Sequence, residues 1–456
     1  MKSLTRKMMW CYAIGQLGWS IISGLIGSWL VYFYQPDQAA INEGMTQLIP
    51  GGRVIFGVLT IIGLITAGGR ILDAITDPLV GNLSDKCKSK LGRRIPFMRY
   101  SAIPLGLVFV LVFCAPVNGI SGINVAWLFV FVALYYVAIT CYCTPYTSLL
   151  AELTHTQDEK MKLSTCISLT FIVGTAIGYV APVIWGSFIG GGMSRVPAMR
   201  LTFIILSVLA TIFMLVPAFG IKEKDYCDAK PSDTPVLKSL GKTFKNKDFR
   251  VFVIQDIIYF LGLTMFQTGL PFFVTSLLKF DESMSTVMFV GLTALSLIFY
   301  PFITMLSKKF GKKKLVVFAF IGFFITFTLT GFAGPALKIN VMVQAVLIVV
   351  LGSFPMAIFG ICPQAIVADI AQSDEITTGE NRSGMFYAAR TFAMKFGQSA
   401  AMLIFTSLAT IRAAEGNGYG YRVVAIVAAI CCALGGFFMQ LFNEKRILDI
   451  INSDKK

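Results

Sequence analysis

Histidine is almost absent: His155 is the only one in 456 residues, and it falls in a loop. No histidine cluster can therefore sit inside an apolar segment, and no glycosidase-like pair of acids occurs outside one stretch near residue 75, so enzyme chemistry fares poorly. A Gly-x-x-x-x-Gly-Lys phosphate loop is missing as well, which argues against ATP-driven work. Charge is scarce, at 14% of residues against 56% hydrophobic, a balance foreign to soluble domains. The ten cysteines offer no extracellular disulfide: Cys11, Cys114, Cys141, Cys143, Cys166, Cys362, Cys431 and Cys432 lie in apolar runs, and Cys87 and Cys227 in basic loops. The Asn-x-Ser/Thr sites, Asn82 and Asn381, fall at the same basic ends, so nothing points to glycosylation.

What is present is a series of apolar runs of about 20 residues, the length a helix needs to cross a hydrocarbon core about 30 Å thick. Twelve are predicted, over 9–34, 53–82, 99–118, 123–150, 164–188, 199–221, 249–277, 285–306, 315–334, 340–368, 384–411 and 421–442. Lipid allows no other open backbone. The first run follows Lys2, Arg6 and Lys7, but it is too long for a secretory leader and is expected to stay uncleaved.

The formal net charge of +15 does not imply nucleic acid, because the bases concentrate in short loops: Lys86, Lys88, Lys90, Arg93 and Arg94, then Lys308, Lys309, Lys312, Lys313 and Lys314. By the positive-inside rule these loops and both termini are cytoplasmic, and a bacterial inner membrane is expected. The polar stretch 222–248 divides the chain into bundles at 1–221 and 249–442, with a tail at 443–456. A faint repeat agrees: the segment from Asn82 to Arg94 resembles the one from Met305 to Lys314. Two related halves with a midplane site are the plan of the major facilitator fold, an all-α membrane protein of twelve helices in two six-helix bundles. A monomer is expected.

Asp73 and Asp77 stand one turn apart inside the second run, so both carboxylates share a face. A buried charge there costs roughly 2.5 to 3.5 kcal/mol on insertion scales and usually lines a path for ions or solute. Arg70, three residues before Asp73, could instead neutralise it in a structural pair. Two carboxylates this close resist joint ionisation, so a proton could take the place of a metal cation. Lys395 is a second deep charge, and Asp256 a less deeply placed one.

The run Arg70-Ile-Leu-Asp-Ala-Ile-Thr-Asp-Pro-Leu-Val-Gly81 resembles the second-helix signature of the glycoside-pentoside-hexuronide:cation symporters. Further matches are Pro145-Tyr-Thr-Ser-Leu149 with Thr154 and Glu159, Val367-Ala-Asp-Ile370, and Gly379-Glu-Asn-Arg-Ser-Gly384 leading to Lys395. The resemblance implies Na+ or H+ as coupling ion, Na+ first, held by Asp73, Thr76, Asp77 and Thr140, with no other cofactor. It implies a small-molecule solute, and gating charges among Arg70, Asp85, Arg93, Arg94, Glu152, Asp369 and Arg382. The family's charged and tryptophan sugar contacts are replaced here by Ser20, Cys143, Thr147, Cys166 and Gly360. Gln16, Trp19, Tyr142, Tyr146, Gln267, Gln364 and Gln398, with Lys395, could rebuild a neutral polar cavity. A sugar, glycoside or uronide is the first expectation, a lysolipid the alternative, and a receptor or scaffold without transport the different-class reading.

Overall fold

The computed structural model describes residues 4–53, 56–154, 156–226, 241, 243–335, 337–379, 383–413 and 417–453; His155, Asn381 and Arg382 lie outside them. Among the described residues there are fourteen α-helices and no strand. Twelve are long: α1 (Arg6–Tyr34), α3 (Ile61–Asp85), α4 (Ile95–Val112), α5 (Gly122–Leu153), α6 (Gln157–Gly190), α7 (Arg195–Gly220), α8 (Lys247–Phe272), α9 (Ser283–Phe310), α10 (Lys312–Phe332), α11 (Val341–Thr378), α12 (Ser383–Ala409) and α13 (Tyr419–Gln440). Two are short, α2 (Gln38–Asn42) and α14 (Glu444–Ser453). The architecture of the described residues is all-α.

Ten of the long helices are apolar enough to cross a membrane by composition; α3 and α12 are not. These two carry Arg70, Asp73, Asp77 and Asp85, and Arg390 and Lys395. The charges on these two helices are what lower their apolar character. Helix α3 also starts later than the apolar run suggests: Phe56 and Gly57 have positive φ (52° and 66°), and Thr60 caps the helix by accepting from the Gly63 N–H. The tail is not plain coil, because α14 buries Ile447 and Ile451 against α11.

Contacts divide the chain into two units, Met1–Asp233 with Glu282–Thr286, and Thr234–Asp281 with Val287–Lys456. In the first, α1 packs on α6 and α7, α4 on α5 and α7, and α3 on α5. Small residues let backbones touch: a Cβ on Gly18 would lie 2.4 Å from the Ala210 carbonyl, and one on Gly174 2.7 Å from that of Leu17. Glu282 is only 4% exposed, accepting from Tyr32 Oη at 2.7 Å and from the Trp185 indole and pairing with Arg195 at 2.7 Å. In the second unit, α8 packs on α12 and α13, and α10 on α11 and α13.

The repeat seen in the sequence has a structural counterpart in each unit. Glu223 accepts from the backbone N–H groups of Arg93, Arg94 and Ile95 at 2.7, 2.9 and 3.0 Å, capping α4. Glu444 does the same for α10 through Lys312 and Lys313 at 2.7 and 3.1 Å. In both units a glycine at positive φ, Gly92 (115°) or Gly311 (86°), precedes the capped turn. A carboxylate at a helix N-terminus satisfies open donors and complements the helix dipole.

Candidate functional site

Helices α3 and α5 are held together by hydroxyl and carboxylate oxygens. Thr140 Oγ1 donates to Asp73 Oδ1 at 2.5 Å, Thr144 Oγ1 to Asp77 Oδ1 at 2.9 Å, and Thr76 Oγ1 lies 3.2 Å from Thr140 Oγ1. Both acid–hydroxyl pairs are separated by 67 positions, the mark of parallel helices kept in one register. Asp73 is 7% exposed and Thr140 1%, while Asp77 and Thr144 are half-buried. Asp73, Thr76 and Thr140 thus form one hydrogen-bonded group, with Asp77 one turn along α3. Thr144 joins them; its cue was available in the sequence, where Thr140 and Thr144 repeat the spacing of Asp73 and Asp77. The Arg70 guanidinium lies 5.7 Å from the centre of the Tyr136 ring.

The residues expected in a solute cavity are distributed less evenly. Tyr142 and Tyr146 are buried, and their hydroxyls donate to the Met214 and Tyr12 carbonyls at 2.8 Å each. Gln16 is 4% exposed and bonds Ser20 one turn on at 3.1 Å. Trp19 is half-buried beside Phe171, and its indole N–H has no hydrogen-bond partner among the described residues. Cys143 and Cys166 are half-buried, and Thr147 is exposed. In the second unit, Lys395, Gln267 and Gln398 are half-buried, whereas Gly360 and Gln364 are exposed. Gly360 faces Tyr300, whose hydroxyl would lie 2.4 Å from an added Cβ.

Of the charges expected to gate, Asp85, Arg93, Arg94, Glu152 and Asp369 form ion pairs. Arg94 joins Asp85 and Glu152, the latter at 2.7 Å, and Arg93 reaches Glu152 at 3.0 Å. Burial pushes the Arg94 guanidinium down, but the carboxylates of Glu152 and Asp85 outweigh it and hold its pKa above the ordinary value. Lys312 pairs with Asp369. Sequence reasoning missed Glu223, Glu282, Glu444 and Arg390. Arg390 is the partner that accounts for Asp256, a carboxylate with no solvent exposure.

A family model described as MFS/sugar transport protein matches residues 11–443. The chain belongs to that family. Among relatives of this MFS/sugar transport chain, the isoprimeverose transporter of Lactiplantibacillus pentosus is 22% identical over 85% of this chain and 76% of its own length. The sodium-dependent lysophosphatidylcholine symporter 1 of Xenopus tropicalis is 23% identical over 75% and 70%. The nucleoside transporter NupG shares the fold at a TM-score of 0.66 and 16% identity, covering 97% of this chain and 100% of that one. These are membrane transporters, and so is this member of the family; it is not an enzyme.

Proposed function

We propose that the chain couples the downhill flow of a monovalent cation, sodium before the proton, to uptake of a sugar, glycoside or uronide by alternating access. The observation that carries this reading is the pairing of Asp73 with Thr140 and Asp77 with Thr144. Sodium is a hard cation that favours oxygen ligands, and two carboxylates with hydroxyls supply them. Membership of a sugar-transport family and one relative whose name reads glycoside/cation symporter support the solute class. The positive-inside distribution supports cytoplasmic termini; the reading places the chain in a bacterial inner membrane as a monomer.

A lysolipid is the second reading, favoured by two observations. The Tyr142 and Tyr146 hydroxyls of α5 are committed to main-chain carbonyls, and a sodium-dependent lysophosphatidylcholine symporter is among the relatives. A thermal-shift screen of sugars, glycosides, uronates and lysolipids, each with and without sodium, decides between them. Ligand at about 100 times its Kd stabilises the bound state by about 2.7 kcal/mol. Synergy between sodium and one class identifies the solute; stabilisation by none of them, with or without sodium, counts against both readings.

A further inference from the structure

The second unit carries an apolar groove of about 290 Å³ between the first half of α10 and the last half of α13. Phe320 forms its floor, because Gly435 and Gly436 offer no side chain to cover it: an added Cβ would lie 2.4 and 3.2 Å from Phe320. Ile321 and Phe324 on one side and Ala433 and Phe437 on the other are exposed, so in a membrane the groove opens to lipid. Helix rise places Phe324 about 16 Å from Lys313. That is close to half of a hydrocarbon core about 30 Å thick, so the groove runs the depth of one leaflet.

Its mouth is basic. Lys313 Nζ donates to the carbonyl of Gln440, the polar residue at that end of the lining, at 2.6 Å, which fixes an ammonium there with two donors still to give. Glu444 accepts from the Lys312 and Lys313 N–H groups, so Lys445 and Arg446, which follow it, stand beside the same helix start as Lys314. Lys314, Lys445 and Arg446 are exposed, and none is in an ion pair among the described residues. We propose that the groove seats one anionic phospholipid of the adjoining leaflet, with an acyl chain along α10 and α13 and its phosphate on Lys313, Lys314, Lys445 and Arg446. Charge at one end and hydrocarbon along the rest match such a lipid, and basic pockets between membrane helices suit anionic headgroups. A zwitterionic lipid would bring the same chain, but its own cation would meet these bases; inorganic phosphate would leave the apolar bed unused.

The test is native mass spectrometry of the purified full chain in detergent, titrated with phosphatidylglycerol or with phosphatidylcholine of the same chains, with cooperative melting as the check on folding. Phosphatidylglycerol should bind about tenfold tighter or more, since each base near an anionic headgroup is worth about a factor of five. Lys313→Gln combined with Lys314→Gln should remove most of that preference and leave phosphatidylcholine binding as it was. Ala433→Phe, at an exposed position, fills the bed and should weaken both lipids. Lys88→Gln combined with Lys90→Gln takes the same charge from a loop of the first unit and should change neither. Equal affinity for the two lipids in the original chain overturns the proposal, as does an equal loss in the Lys88 and Lys90 variant, which would make the effect one of general surface charge. Unchanged binding in Ala433→Phe overturns it by removing the chain from the groove, and phosphatidylglycerol binding that requires sodium overturns it by making the lipid a coupled solute.

Discussion

Arg390 forks onto Asp256, with Nε 2.8 Å from one carboxylate oxygen and Nη2 3.0 Å from the other. Asp256 has no solvent exposure, and the guanidinium sits 5.9 Å from the centres of the Phe252 and Phe260 rings. The pair fixes α12 against α8, and the contact continues where a Cβ on Gly397 would lie 2.6 Å from the Ile257 carbonyl. Lys395 is thereby held in a set register.

Breaking such a pair on one side leaves a buried charge uncompensated, at about 3–5 kcal/mol, whereas removing both partners is often near neutral. Arg390→Met and Asp256→Leu should each melt well below the original protein in detergent, and the double variant should recover most of the loss. Additive losses in the double variant would count against the pair as a unit.

The carboxylate caps give a second prediction. Gly92→Ala adds a Cβ 2.2 Å from a Glu223 oxygen at a φ of 115°, so it should destabilise more than an ordinary surface change. Glu223→Gln weakens a cap with charge-assisted bonds and should cost about 1–2 kcal/mol by thermal unfolding. The matching changes Gly311→Ala and Glu444→Gln should act in the same direction in the second unit. Unchanged melting in both glutamine variants would remove the caps from the account of stability.

Much of this was legible in the sequence. The twelve long helices, ten of them apolar enough to cross a membrane, and the charges on α3 follow from hydropathy and spacing, because lipid leaves the backbone few choices. The carboxylate caps were not, since Glu223 and Glu444 act across about 130 positions and carry no local pattern. The partners of Tyr142 and Tyr146 were not legible for a related reason: where a tyrosine hydroxyl ends depends on the packing of distant segments, and here both end on main-chain carbonyls. Thr144 was readable as part of a repeated spacing, and only the geometry gave the repeat a partner.

Glu282 gives a third prediction, because three donors converge on one buried carboxylate. Glu282→Gln keeps the shape and removes the buried one of the two carboxylates paired with Arg195, so the melting temperature should fall and the Trp185 fluorescence should shift as its indole loses a charged acceptor. Emission and melting identical to the original protein would show that the charge is not what holds this cluster.

Arg94 yields a prediction in pH. Its folded pKa is raised, so the stabilisation is fully present below the ordinary arginine value and is lost only as pH climbs through the higher folded one. The gap in melting temperature between the original protein and Arg94→Met should therefore stay constant from about pH 7 to pH 9, a range in which arginine keeps its proton. A gap that closes across that range would mean the stabilisation comes from some other group.

Solute uptake into sealed vesicles under an imposed cation gradient tests the central claim most directly. Vesicles holding the original chain should accumulate solute when sodium is higher outside, stop when the gradient is collapsed, and show no accumulation with Asp77→Asn despite normal folding. Accumulation by Asp77→Asn at the original rate, still driven by the gradient, would contradict the account.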